Sequence, residues 1–249
     1  MQHSIGPTRS IMIQDLRDIL FLDIETVACE AEFDNLSERL KVQWSRKANF
    51  LRRNDNSTDE ALFKDRAGIH AEFGKIICIA VARFVDSESG EPVLRTKVYA
   101  GHNEKELLIT FKNMVEKLDP NSLKLCAHNG KEFDFPYLCR RMLINDISLP
   151  AALNIAGRKP WDIPHLDTME MWKFGDFKHY TSLDLLAAIF NIPTSKTDID
   201  GSQVNAVYYD SGDLDRIKEY CQRDVIVLAK LFLKLKVIRL NSELTVLMA

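Results

Sequence analysis

Apolar and polar positions along the 249-residue chain alternate between strand-like runs and helical stripes. Residues 19–27 (ILFLDIETV) form an apolar run of the kind found in buried strands. Residues 75–84 (KIICIAVARF) and 93–99 (VLRTKVY) are also strand-like. The turn chemistry of Ser87-Glu88-Ser89-Gly90 between them predicts a hairpin. Residues 123–127 read as a short buried strand, and His165-Leu166-Asp167 as a possible fifth. Leu36, Leu40, Trp44, Ala48 and Leu51 recur at helical spacing, and a shorter helix is predicted from Thr58. Leu107, Leu108, Phe111, Val115 and Leu118 mark a helix over 104–118. Further helices are predicted over 135–144, 182–190 and 213–240, with loops over 145–165 and 193–201. Strands first, then helix–strand alternation without a flexible linker, predict a single mixed α/β domain over 18–249. Residues 31–72 form a helical insertion after the first strand.

Composition adds boundaries. With 46% hydrophobic and 28% charged residues the chain is an ordinary globule, and its net charge of −3 argues against a protein coated in basic residues for duplex binding. A local basic groove is still allowed. Six basic residues and no acid lie between Arg39 and Arg53, interleaved with Trp44 and Phe50. That composition suits a single-stranded backbone and its bases, and equally suits a solvated helix face. The five scattered cysteines, without a C-x-x-C, read as free thiols in a reducing cytoplasm. No stretch approaches the roughly 20 apolar residues needed to span a bilayer. Residues 1–17 lack a signal-peptide core and read as a loose tail.

Three details carry chemistry. In a strand, Asp23 and Glu25 point to one face while Leu22 and Ile24 point to the other. Two carboxylates about 4 Å apart at an effective dielectric near 20 repel by about 4 kcal/mol, which a divalent cation or a shared proton relieves. A frayed strand end with both acids in water is the plain alternative. Asp134 lies at the mouth of a helix with Pro136 in its first turn, a position that also suits a helix cap. On the terminal helix, Tyr220 and Asp224 are i and i+4 on one face beside the apolar stripe. There a carboxylate is costly unless paired or metal-bound.

Together, Asp23-x-Glu25, Asn129-Gly130-x-x-Phe133-Asp134-x-Pro136-Tyr137-Leu138 and Tyr220-x-x-x-Asp224 resemble, in order, the motifs of the 3′→5′ exonucleases of the DEDD superfamily. The similarity is strongest to the tyrosine variant, and within it to standalone bacterial proteins related to the proofreading domain of family B DNA polymerases. It covers roughly residues 19–240. The resemblance implies an RNase H-like fold, a five-stranded mixed sheet flanked by helices. His179 and Asp184 also fit the His-x-x-x-x-Asp spacing of the histidine branch. In the helix after Ser182, however, Leu183, Leu186, Ile189 and Phe190 form the core face, and Asp184 falls opposite with Ala187, Ala188 and Asn191.

By this resemblance Asp23, Glu25, Asp134 and Asp224 bind two divalent ions, Mg²⁺ or Mn²⁺, about 3.5–4 Å apart. Asp23 bridges both. Glu25 and Asp224 complete the site that activates water, Asp134 serves the ion at the leaving 3′ oxygen, and Tyr220 orients the nucleophile. The implied substrate is a single-stranded DNA or RNA 3′ end, released as nucleoside 5′-monophosphates. Thr26, by its backbone amide, and Val27, as an apolar wedge, are expected to border the terminal nucleotide. Asn129 is a candidate contact to the penultimate sugar or phosphate, or an ordinary turn residue. Lys196 is a candidate phosphate grip, or an exposed loop lysine. His128 and Asp167 read as structural. A catalytically weak end-binding module and an interaction domain on the same fold are the competing classes. The intact set of four acids and the tyrosine disfavours both.

Overall fold

The computed structural model describes residues 13–52, 57–88, 90–176, 180–193, 198–240 and 242–248. Strand β1 (Ile19–Ala28) lies at the centre of a mixed sheet. It pairs antiparallel with β2 (Gly74–Asp86), which forms the expected hairpin with β3 (Pro92–Ala100). On its other edge β1 runs parallel to β4 (Lys124–Ala127), which runs parallel to the two-residue β5 (Leu166–Asp167). The expected five strands are joined by a sixth, β6 (Val246–Met248), parallel to β3. The order is β5-β4-β1-β2-β3-β6. No helix among the described residues is long and apolar enough to cross a membrane.

Alternation along β1 divides the core. Leu20, Leu22 and Ile24 pack with α3 (Glu104–Val115) and α4 (Asp134–Ile144). Ile19, Phe21 and Val27 face the opposite side with α8 (Leu214–Leu235). The Asp23 and Glu25 side chains point to that α8 side. Beside them the β1–β2 register slips between Glu25 and Thr26, leaving Ile77 as an extra residue on β2. Such a bulge re-aims the side chains around it. The Glu104–Arg141 pair is buried and doubly hydrogen-bonded, at 2.8 and 2.5 Å, and Glu104 also accepts from the Ile76 amide at 2.7 Å. That network fixes α3 and α4 against β2.

The inserted segment contains α1 (Glu38–Leu51) and α2 (Asp59–Arg66), capped by the Ser37 and Thr58 hydroxyls. Trp44 is fully buried, edge-on to Phe63 and Phe73 at 5.2 and 5.0 Å. Its indole N–H donates to the Asp59 carbonyl at 2.8 Å. Trp44 therefore nucleates a satellite core with Leu36, Ala48 and Phe63, and is closed to a stacking base. Phe50, by contrast, is 79% exposed.

The remaining helices are α5 (Thr168–Lys173), α6 (Leu183–Ile189) and the single turn α7 (Val204–Ala206), which continues as a π-turn through Ser211. Two boundaries differ from the sequence reading. Ile13–Asp18 is a 3₁₀ helix that buries Leu16, so residues 13–17 belong to the folded body. The terminal helix stops at Leu235 instead of 240, because Val237 takes φ 55°. The amides of Val237 and Ile238 then close on Lys234 and Leu233, at 3.1 and 2.9 Å. These two bonds form a Schellman cap, usually built on glycine at the left-handed position.

Candidate active site

A cavity of about 590 Å³ opens where β1, the start of α4 and the first turns of α8 meet. Asp23, Glu25, Asp134, Tyr220 and Asp224 all line it. Glu25 and Asp134 are 7% and 4% exposed. Asp134 is the first residue of α4; the cap position is Phe133, which makes no side-chain cap bond. The Asp134 carboxylate instead hydrogen-bonds with its own backbone amide and with the backbone at Ile24, which turns it toward β1.

Gathering these acids is electrostatically costly. Burial raises the pKa of Asp23, and the charges of Asp224 and Asp134 raise it further. Glu25 is raised by burial and then by Asp23 and Asp224. Asp134 is pushed up to about 7, chiefly by burial, with Asp167 adding to it. Tyr220 is driven far above the ordinary phenol range by burial and the charges of Glu25, Asp224 and Asp23, and its hydroxyl hydrogen-bonds to Asp224. Among the described residues, Asp23, Glu25 and Cys221 are the trio whose possible ligand atoms all lie within 4.8 Å of one another. Asp134 and Asp224 face the same space without joining that trio. Oxygen-rich, mutually repelling and buried, the donor set suits a hard divalent cation.

Around the acids, the expected substrate contacts divide. Thr26 is half-buried, lines the cavity and hydrogen-bonds through its side chain to Tyr137. Val27, expected as a wedge beside the terminal nucleotide, is fully buried in the core instead, because the strand returns it to the α8 side. Asn129 lines the cavity at φ 64°, and its buried Oδ1 has no hydrogen-bond partner among the described residues. Gly130 follows because a Cβ there would stand 2.4 Å from the Ala127 Cβ and 2.9 Å from the Phe135 ring. Lys196 and His179 lie outside the described residues.

The two structural readings hold in detail. Asp167 caps α5 through the amides of Met169 and Glu170, at 2.9 and 3.2 Å, and fixes the Asn129 loop through the amides of Asn129 and Lys131, at 3.0 and 3.1 Å. His128 bridges Thr168 Oγ1 at 2.9 Å and the Thr181 carbonyl at 2.8 Å, and burial lowers its pKa. A neutral ring with Nε2–H donating to the carbonyl and Nδ1 accepting satisfies both bonds.

The rim holds residues that the sequence did not single out. None of Arg39, Lys41, Arg46, Lys47 and Arg52 lines the cavity; Lys64, Arg66 and Ile69, from the end of α2 and the turn after it, do. Asn205 anchors that wall, accepting from the Ala28 amide at 2.9 Å and donating to the Lys64 carbonyl at 3.1 Å. Tyr180, 68% exposed, stands on another wall. Asp184 also lines the cavity, while Ala187 beside it is buried, so the helical-face argument misplaced both. Asp224 is among the charges that raise the pKa of Asp23 and Glu25 most.

Among solved structures, the family B DNA polymerase of the hyperthermophilic archaeon Pyrobaculum calidifontis is similar over 87% of this chain and 24% of its own, with TM-score 0.54 and 17% identity. At that identity the likeness speaks for the fold, which is that of a polymerase exonuclease domain, RNase H-like; the chain spans about a quarter of the polymerase's length. A search of curated proteins finds no match. A family model matches residues 69–246, a stretch that holds Asp134, Tyr220 and Asp224 and begins after β1. The chain belongs to the family described as predicted 3′-5′ exonucleases related to the exonuclease domain of PolB.

Proposed function

We propose that the protein is a metal-dependent 3′→5′ exonuclease acting on single-stranded nucleic acid and releasing nucleoside 5′-monophosphates. One observation carries the reading. Four acids and a tyrosine, from three elements far apart in the chain, turn into one cavity at an electrostatic cost that a folded protein without bound cations has no use for. Asp23, Glu25, Asp134 and Asp224 would hold two divalent ions, Mg²⁺ or Mn²⁺, which supply an activated water and neutralise charge on the phosphate when bound.

The chain's own groups do the rest. Tyr220 keeps its proton at any working pH, so it orients a nucleophile through its hydroxyl and does not deprotonate it. Its partner Asp224 fixes the ring's orientation from one helical turn away. Thr26 and Asn129 offer polar contacts to the terminal nucleotide, with the unpartnered Asn129 Oδ1 available to a sugar hydroxyl. Lys64 and Arg66 at the mouth are placed to meet phosphates, and Lys196 is a further candidate.

The test is incubation of 5′-labelled single-stranded oligonucleotides of DNA and RNA with Mn²⁺, then with chelator. A ladder shortening from the 3′ end, lost with chelator, is the expected outcome. Mobility shift without cleavage would replace the enzyme by an end-binding module.

A further inference from the structure

Two thiols stand behind the acid pair, and the reaction just described has no use for them. Cys221, one residue past Tyr220 on α8, is fully buried, with Sγ 3.3 Å from Asp23 Oδ2 and 3.5 Å from the Asp23 carbonyl. Cys78 lies opposite Glu25 in the β1–β2 register and hydrogen-bonds with Cys221. Mg²⁺ and Mn²⁺ select oxygen, whereas thiolate selects softer ions.

The spacing fits such an ion. In a tetrahedral zinc site, bonds of about 2.3 Å to sulfur and about 2.0 Å to oxygen put those two ligands about 3.5 Å apart. The 3.3 Å between Cys221 Sγ and Asp23 Oδ2 is close to that edge. Glu25 supplies a second, independent pointer. It is 7% exposed, lines the same cavity, and no hydrogen bond reaches its carboxylate among the described residues.

We propose that Asp23, Glu25 and Cys221 form a site for a thiophilic divalent ion, Zn²⁺ or Cd²⁺, with the fourth position open to the cavity. On binding, the Cys221 S–H bond breaks, its proton leaves to solvent, and a metal–sulfur bond forms without change of oxidation state. Asp23 and Glu25 cannot serve this ion and a pair of hard ions at once, so Zn²⁺ acts as an inhibitor. That consequence rests on the exonuclease reading; the binding itself does not.

The experiment is titration of the whole chain with Cd²⁺, read by the ultraviolet cadmium–thiolate charge-transfer band. One equivalent should bind. The band should vanish in Cys221→Ser and in Cys221→Ala, and Asp23→Asn should weaken binding about tenfold or more. Excess Mn²⁺ should suppress it in the unmodified protein, a measurement that does not depend on any variant folding. The half-buried thiols Cys29 and Cys139 can bind Cd²⁺ elsewhere. A band that survives loss of Cys221, or that ignores Mn²⁺, therefore overturns the proposal, as does no band at all. Cleavage of oligonucleotides with Mn²⁺ separates the two readings. Cleavage without a Mn²⁺-sensitive band sinks the soft-ion site alone, and such a band without cleavage sinks the exonuclease alone.

Discussion

Strand β1 and helix α1 both set ionisable side chains among apolar ones, and only β1 builds a site. On α1 the basic residues sit on a helix that projects from the sheet, where charge meets water at little cost. Lys41 pairs with Glu38 at 3.0 Å and Arg52 with Asp59, and the aromatic Trp44 between them belongs to a private core. On β1 the charges are inside. Asp23 and Glu25 pack beneath α8, where burial and the charges of Asp224 and Asp134 raise their pKa. A charge that costs nothing reports little about function; a charge that the fold has to hold against its own stability reports a ligand.

The largest effect expected from this contrast is on catalysis. Asp224→Asn should reduce cleavage to background, while Asp184→Asn should leave most of it, measured as single-turnover rates with Mn²⁺. The reverse order would move the metal site to α6 and dissolve the tyrosine assignment. Next in size is stability in the inserted segment. Trp44→Ala should cost about 3–5 kcal/mol by denaturant unfolding, as for other fully buried aromatic residues. Phe50→Ala, at an exposed site, should stay within about 0.5 kcal/mol.

A third outcome concerns pH in chelator. Asp134 carries a folded-state pKa raised to about 7, above its unfolded value near 3.8. The native state therefore holds a proton that the unfolded state has released. Its contribution to stability should be greatest at low pH, fall as pH rises from about 4 to about 7, and level off above. Asp23 and Glu25 act in the same direction. Asp134→Asn should flatten part of that slope in thermal melts, and a slope of opposite sign would refute the buried-acid account. The smallest expected effect is on substrate affinity. Lys64→Glu with Arg66→Glu should weaken oligonucleotide binding and reduce the salt slope by about 0.7 per lost phosphate contact. Lys47→Glu with Arg52→Glu should change neither.

What was legible in the sequence follows the same division. Apolar runs and the turn residues between two of them located β1 and the hairpin, and helical stripes located α3, α4 and α8, because burial leaves a pattern. The acids of the cavity were legible because carboxylates interrupt those patterns. Val27 was misread, and Trp44 was left between a helical stripe and a stacking surface, for one reason: composition says that a residue is aromatic or apolar, and only packing says which surface takes it. The end of α8 was hidden because its left-handed cap is a valine, which carries no stop signal. The rim was hidden because Lys64, Arg66 and Tyr180 reach the cavity through tertiary placement of α2 and of the segment before α6.

The contact between Cys221 and Asp23 joins residues 198 positions apart. The site therefore has no local existence: a growing chain or a proteolytic fragment that still lacks its last long helix carries Asp23, Glu25 and Asp134 without the Tyr220 and Asp224 that complete the set. On the proposed exonuclease reading, activity should arise all at once, when that helix docks, and the topology itself would shield a cell making this protein from a half-built nuclease.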